Sequence, residues 1–194
     1  MLLLSGGRYS SNADTTVLER LPPEPVKPVV SVFTGQEELF LEAEKALKAR
    51  LGEADFISAP LLFNKTRYYE KEMGTGLKRR FYSFSRLIDP CELVSLKLYT
   101  MELEEAWRTR GKRRVNIDPG YVSLAKLVLA TTKDNVHRIY LGNKVYAEVT
   151  LFFKHGRFHP WPWTYPDYAS AEYRQIFERI REIYREQLRI RHGS

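Results

Sequence analysis

The sequence NIDPGYVSLAKLVLATTKDNVHRIYLGNKVYAEVTLFF, residues 116–153, decides the fold that is predicted for this chain. Its β-branched and aromatic residues fall in short runs separated by turn-forming residues, as is typical of consecutive antiparallel strands. The tetrapeptide Asp118-Pro119-Gly120-Tyr121 predicts a turn, because proline presets one backbone angle and glycine accepts a left-handed one. The stretch therefore predicts the centre of a β-rich domain.

Residues 124–132 allow two interpretations. On a helix, Ser123, Lys126 and Lys133 would share one stripe. As a strand, the apolar run at 127–129 leads into two threonines and a Lys-Asp-Asn turn, a pattern that favours β-structure. The strand is the preferred interpretation, and strands at 137–141 and 145–153 then complete an antiparallel meander.

The chain before this stretch predicts the element order β-α-β-β-α-β. Apolar periodicity places a strand at 28–33, a helix at 34–51, strands at 54–63 and 77–88, a helix from residue 89 and a strand at 113–118. Thr34 and Glu37 match a capping box, and Asp89 caps the second helix. The order predicts an α+β fold with a ferredoxin-like core, which the meander and a long C-terminal helix at 170–191 extend.

The N-terminal residues differ in character from the rest. Residues 1–27 contain Gly-Gly, Ser-Ser and a proline cluster, which predict a flexible extension before a single domain at 28–194. The apolar run Met1-Leu2-Leu3-Leu4 is too short for a signal sequence, and no apolar run approaches membrane-spanning length. We therefore expect a cytoplasmic protein without a membrane partner.

Composition narrows the classes of function. A chain of 194 residues that is 43% hydrophobic can bury the core of one domain. Its net charge of +7, from 31 basic and 24 acidic residues, favours anionic partners. Cys91 is the only cysteine, which excludes an internal disulfide and a cysteine-based zinc site. His155 and His159 flank a turn without a carboxylate at ligand spacing, so no metal site is predicted.

Several ordered blocks resemble a known family. They include NIDPGY, LVLATTKD, HRIYLG, YAEVTLFF and WTYPDY, with YYEKEMGTGLKRRF, SRLIDP and GKRRVNIDPGY upstream. Over residues 28–188 the chain resembles the bacterial family catalogued as domain of unknown function 4416. The resemblance carries over no catalytic residue, and any cofactor stays unknown.

Some members of this family are described as GTP-binding proteins. This chain lacks the phosphate-binding loop, and TTKDN lacks the spacer residue of a guanine-specificity motif, so a P-loop GTPase is not expected.

Asp118 ends the fourth predicted strand, with Asn116 on the same face and Tyr121 in the predicted turn. A carboxylate at a strand end is a common position for function, because loops carry chemistry. It is equally a common way to begin a turn. Lys133 lies in the next predicted turn. Asp118, Asn116, Tyr121 and Lys133 are therefore candidate ligand-binding residues.

Two basic runs, at 78–80 and 108–114, add further candidates. The second places five basic residues in seven positions. Neighbouring strands would merge the runs into one patch that suits phosphate groups. The alternative is a pair of solvated faces with carboxylates nearby. Arg79 and Arg80 join the candidate ligand-binding residues.

The partner of Glu148 depends on the length of a hairpin loop. A two-residue turn at Gly142-Asn143 would place His137 opposite Glu148 as an acid–base pair. A three-residue loop at 142–144 pairs Arg138 with Glu148 instead and gives the cleaner alternation of apolar residues. The second register is preferred. It directs His137 to the apolar face, as a core histidine or a candidate pocket residue.

The leading hypothesis of function is a domain that binds, or also transforms, a small anionic ligand bearing phosphate. The alternative is an RNA-binding or RNA-associated module that uses the sheet and the basic runs, with Phe81, Tyr82 and Phe84 as stacking residues. Trp161 and Trp163 could also stack bases, although packing is the more frequent use of such residues. Nucleic-acid affinity is expected to be weak and sensitive to salt. A structural partner in a complex is the third hypothesis.

Overall fold

A nine-stranded sheet runs through the domain in the computed structural model, which describes residues 22–63 and 70–193. The strands are β1 (Lys27–Thr34), β2 (Ala54–Ile57), β3 (Leu61–Leu62), β4 (Lys78–Phe84), β5 (Val115–Val122), β6 (Lys126–Thr131), β7 (Arg138–Gly142), β8 (Val145–Lys154) and β9 (Arg157–Pro160). The helices are α1 (Glu37–Leu51), α2 (Glu70–Met73), α3 (Glu92–Ala106) and α4 (Ala171–His192). The predicted α+β class is therefore confirmed.

The strands follow the order β2-β4-β1-β5-β6-β8-β7, with β3 beside β4 and β9 beside β8. Every strand pair is antiparallel. On one face, α1 and α3 bury residues such as Val30, Tyr82 and Ile117. On the other face, α4 buries residues such as Val29 and Phe81. Because both faces of β1 are covered, all eight of its residues are buried.

The strand interpretation of residues 124–132 is correct, since β6 occupies their centre. The preferred hairpin register is also confirmed, because Arg138 of β7 pairs with Glu148 of β8. The loop is different from the prediction. Asn143 and Lys144, both at positive φ, form a two-residue turn, and a bulge at Leu141 restores the register.

The turn predicted at residues 118–121 is wrong. These residues lie inside β5 and pair with β1 from Ser31 back to Pro28. Pro119 and Gly120 have another use there. A β-carbon on Gly120 would lie 2.7 Å from Leu129 Cδ2 and would also collide with the carbonyl oxygen of Val128. Glycine is therefore needed for β6 to approach β5, not for a reversal of the chain.

Three further boundaries differ from the predictions. The capping box at Thr34 does not form, since α1 starts after Gln36 without a side-chain cap and the Thr34 hydroxyl donates to the Arg114 carbonyl at 2.7 Å. The strand predicted at 54–63 divides into β2 and β3 around Pro60. Three prolines predict irregular structure at residues 158–168, but the first residues of that segment belong to a strand, β9.

Most of the predicted N-terminal extension, residues 1–21, lies outside the described residues. Residues 64–69 also lie outside them; they begin the polar segment 64–76, for which the sequence predicts a loop with a helical turn. The last residues of the extension belong to the domain. Val26 bridges to Ile88, and Lys27 is fully buried. The Lys27 ammonium pairs with Asp55 and donates to Gln187 Oε1 at 2.8 Å, so it links β2 to α4.

The cap predicted at Asp89 forms in the turn that leads into α3, although the helix itself starts after Cys91 without a side-chain cap. Asp89 Oδ1 accepts the Cys91 N–H at 2.7 Å, and Glu92 Oε1 accepts the Asp89 N–H at 3.1 Å. Asp89→Ala should therefore lower the free energy of unfolding by about 1 kcal/mol, as for other lost caps, and leave ligand binding unchanged. Urea unfolding monitored by circular dichroism measures the change. Loss of ligand binding in a stably folded variant would contradict this structural role.

Candidate ligand-binding site

The sheet splits between β5 and β6. The two strands pair only from Gly120↔Leu129 to Val122↔Leu127, and the first half of β5 is paired with β1 alone. Ile117, in the unpaired half, directs its N–H and its C=O away from β1 to side chains of α3. Peptide groups two residues apart in a strand point to the same side. Pro119 therefore faces β6 without an N–H to donate, and the ladder ends there.

Two side chains of α3 satisfy the open edge of β5. Glu104 Oε1 accepts the Ile117 N–H at 2.6 Å, and Lys97 Nζ donates to the Ile117 carbonyl at 3.4 Å. Both side chains are almost buried, since only 8% of Lys97 and 14% of Glu104 is exposed. The helix thus holds the split open with polar side chains instead of filling it with apolar ones.

A cleft of about 740 Å³ lies at the split. Such a volume is in the range of small-molecule sites. Its wall combines α3, strands β4 to β8 and the segment before α4. Among the described residues, the wall contains six basic side chains, Arg79, Lys97, Arg108, Arg113, Lys133 and Arg138, and five acidic ones, Glu104, Glu105, Asp118, Glu148 and Asp167.

Asp118 stands at the centre of the polar wall. Its Oδ1 accepts from Lys97 Nζ at 3.2 Å, and its Oδ2 accepts from Asn116 Nδ2 at 2.6 Å. Arg113 Nη1 donates to Asn116 Oδ1 at 2.9 Å. About a third of the Asp118 side chain, 32%, stays exposed. The carboxylate is therefore fixed in position and still accessible to a ligand.

Glu104 is an acidic group of the cleft with a strongly shifted pKa. Burial, aided by the Asp118 carboxylate, raises the pKa of Glu104 to about 7 against the opposing effects of Lys97, the Ile117 N–H and Arg113. A carboxyl group with a pKa near neutrality can exchange a proton under physiological conditions. The site therefore combines a fixed carboxylate with a second one that is readily protonated.

Arg79 forms the deep end of the cleft. Its side chain is 4% exposed, and its Nη1 donates to Asp167 Oδ2 at 2.6 Å. The guanidinium carbon lies 4.4 Å from the ring centre of Phe63 and 5.3 Å from that of Tyr168. Nε is buried without a hydrogen-bond partner among the described residues. Arg79 thus ties the segment before α4 to the sheet and places a positive charge in an aromatic surrounding.

The opposite end of the cleft is organised around Glu148, which is 3% exposed. Its Oε2 accepts from Arg138 Nε at 2.9 Å and lies 3.1 Å from His137 Nε2. Arg138 Nη1 donates to the Lys133 carbonyl at 2.8 Å. Arg138 therefore connects the β8 carboxylate to the turn that carries Lys133.

The structure brings four of the seven candidate residues to one cleft: Asp118, Asn116, Lys133 and Arg79. His137 lies behind Glu148 and stacks on Trp163, with ring centres 5.3 Å apart, so its predicted apolar orientation is only partly correct.

Arg80 and Tyr121 lie on the other face of the sheet. Arg80 pairs with Glu37 of α1 at 2.9 Å, and Tyr121 packs against the helix side of the core. Successive side chains of a strand point to opposite faces, so Arg79 and Arg80 cannot share a site. The two basic runs also do not lie on neighbouring strands, because β1 separates β4 from β5.

Sequence reasoning missed Lys97 and Glu104. They are seven residues apart, two helical turns, and therefore lie on the same side of α3. Lys97 and Thr100 are buried in that helix. Polar residues at helical spacing beside the apolar residues of a helix could have predicted this role, because buried polar groups must find buried partners.

The comparisons with known proteins place the chain in a family. Residues 24–184 match the family described as domain of unknown function. The chain belongs to that family, catalogued as number 4416. The match covers every strand of the sheet and most of α4, and hence the whole wall of the cleft. Comparison with curated proteins and with solved structures finds no match.

Two classes of feature are not found in the described part of the chain. No helix there has the length and apolar character that crossing a membrane requires. No group of three or more histidine, cysteine, aspartate or glutamate side chains there could hold a metal ion.

Proposed function

We propose that the cleft binds a small anionic ligand, most simply a phosphate-bearing metabolite. The observation that carries the proposal is that Asp118 lines the same cleft as basic side chains from separate elements: Arg79 of β4, Lys97 of α3, Lys133 of the β6–β7 turn and Arg138 of β7. Cations on several elements can contact one anionic group from different sides. Asp118 is placed to accept hydrogen bonds from hydroxyl or amine groups of the same ligand.

The cleft also suits a ligand with an apolar part. Met101, Leu129 and Pro166 line it beside the polar groups, and the Tyr165 side chain, 54% exposed, stands in its wall. Small-molecule sites commonly combine such apolar surface with a few polar groups that fix orientation. A sugar or aromatic ring that carries a phosphate fits this division.

RNA binding has less support. The proposed stacking residues Phe81, Tyr82 and Phe84 are at most 1% exposed, so they offer no ring face to a base. Trp161 and Trp163 are exposed, but they stack on each other at 5.1 Å, and Phe152 also contacts Trp161 while His137 stacks on Trp163. These contacts use ring surface that a stacked base would need.

We also propose that the first half of the chain is a ferredoxin-like unit. The order β2-β4-β1-β5, with α1 and α3 on one face, supports this assignment. In such a unit the two helices leave the other face of the sheet uncovered, so further elements of the chain can pack there. Here α4 covers part of that face, and the cleft opens beside the covered part.

A thermal-shift screen of phosphorylated metabolites tests the proposed function. A ligand that binds only the folded state at about 100 times its Kd should raise the Tm of the native protein by about 5–10 °C. Asp118→Asn and Lys133→Ala should abolish the shift while the variants stay folded. Arg80→Gln, on the opposite face, is the matched control and should keep the shift. A shift that survives both cleft substitutions would locate binding elsewhere.

A further inference from the structure

Glu104 has one oxygen engaged by the protein and one that is not held at hydrogen-bond distance. Oε1 accepts the Ile117 N–H at 2.6 Å. Oε2 lies 3.8 Å from Arg113 Nη1, which is beyond a hydrogen bond. The residue lines the cleft, and its backbone partner fixes its position. A second oxygen in this position is available to whatever fills the cleft.

The charges that face Glu104 come from each element packed around it. They are Lys97 on its own helix, Asp118 on β5 and Arg113 in the segment before β5. Lys97 already pairs with Asp118 at 3.2 Å, and Arg113 pairs with Glu72 of α2 at 2.8 Å. The neighbouring cations are thus shared with other carboxylates. Among the described residues, the cations beside Glu104 therefore already pair with other carboxylates when a further negative charge enters the cleft.

We propose that Glu104 binds the anion of the ligand as a carboxylic acid, donating a hydrogen bond from Oε2 while Oε1 keeps the Ile117 N–H, so that binding to the ionised form of the site takes up one proton. An ionised carboxylate only accepts hydrogen bonds and would repel an anionic oxygen, whereas the protonated form donates. The assignment rests on the proposed function, because it concerns the same cleft and the same ligand. The raised pKa of Glu104 supports it, since protonation there is accessible near neutral pH.

The sign of the expected pH dependence follows from this proton. Below about pH 7 the carboxyl group is already protonated, so anion affinity should change little. Above about pH 7 each bound anion must bring a proton from solvent, so affinity should fall about tenfold per pH unit. Inorganic sulfate isolates this effect, because its own charge is constant from about pH 6 to about pH 9, unlike that of phosphate.

Titration calorimetry of the full chain with inorganic sulfate and with inorganic phosphate tests the proposal. At about pH 8, in two buffers with different ionisation heats, sulfate binding should take up close to one proton per site. Glu104→Gln should bind sulfate without proton uptake and with a flat pH profile, because its amide donates at any pH and its oxygen can still accept the Ile117 N–H. Glu102→Gln, which removes the same charge from an exposed position of α3 outside the cleft, is the control and should keep the wild-type profile.

Each outcome decides between the two proposals. Sulfate binding without proton uptake, or with equal affinity at about pH 6 and about pH 8.5, would overturn the role of Glu104 and leave the anion site standing. Phosphate binding without sulfate binding would overturn it as well, since a carboxylic acid donates to either anion. If neither anion binds, the anion site itself fails, and this inference fails with it.

Discussion

Arg79→Met should lower the free energy of unfolding by about 3–5 kcal/mol, a large fraction of the stability of a domain of this size. Arg79 is 4% exposed and is paired with Asp167, which is also nearly buried. Methionine would fill part of the aromatic surrounding but would leave the Asp167 carboxylate without its cation. An unpaired buried charge costs more than the ion pair contributes when both partners are present.

Two further variants separate this effect from a general loss of arginine. Arg80→Met removes the next side chain, whose partner Glu37 is 59% exposed, and should cost less than about 1 kcal/mol. The double variant Arg79→Met/Asp167→Leu removes both charges and should recover part of the lost stability. Urea unfolding at constant pH measures all three. A cost for Arg79→Met no larger than that for Arg80→Met would show that the pair does not anchor the segment before α4.

The elements that local patterns determine were predictable. The β8 strand and the α4 helix each combine a clear period of apolar residues with boundary residues that fit, such as Ser170, whose side chain accepts the Tyr173 N–H. The pairing of Arg138 with Glu148 followed from the alternation of apolar residues, although a bulge at Leu141 replaced the longer loop. In these cases local preference and tertiary packing agree.

The arrangement of the cleft was predictable only in part. The alternation of a strand shows that Arg79 and Arg80 point to opposite faces, but it does not show which face holds a cleft. Lys133 and Asp118 line one cleft only because β6 diverges from β5, and a split of this kind depends on strand order. Lys97 and Glu104 lie beside the apolar residues of α3. Their partners, the C=O and N–H groups of Ile117, are distant in sequence, so a local pattern does not reveal the contact.

The interpretation of Asp118-Pro119-Gly120-Tyr121 failed for a physical reason. Proline and glycine favour turns in the absence of neighbours, because their backbone preferences act locally. Here β1 pairs with the whole segment, and eight residues of β5 stay extended. Pro119 and Gly120 instead determine where β5 and β6 separate and where they pair. Pro119 ends the ladder to β6, and Gly120 lets Leu129 lie against β5. Asp118 still reaches the cleft, although from within a strand.

Gly120→Ala should therefore lower the free energy of unfolding by about 3 kcal/mol. The added methyl group would lie 2.7 Å from Leu129 Cδ2 and would collide with the Val128 carbonyl oxygen. A backbone oxygen cannot move away without disturbing the Tyr121↔Val128 pairing, so the strain falls on the short ladder that joins β5 to β6. Glycine is required here by the close approach of two strands and not by a positive φ.

Gly35→Ala is the matched control for this substitution. A β-carbon at Gly35 would meet only ordinary contacts, at 3.5 Å from the Thr75 carbonyl oxygen and 3.7 Å from Leu77 Cδ2. That variant should change stability by less than about 1 kcal/mol, and a small gain is expected because alanine restricts the unfolded chain. Both variants are compared by urea unfolding monitored by circular dichroism. If Gly120→Ala unfolds at the wild-type midpoint, β6 does not approach β5 closely at this position, and Pro119 alone must explain where the ladder ends.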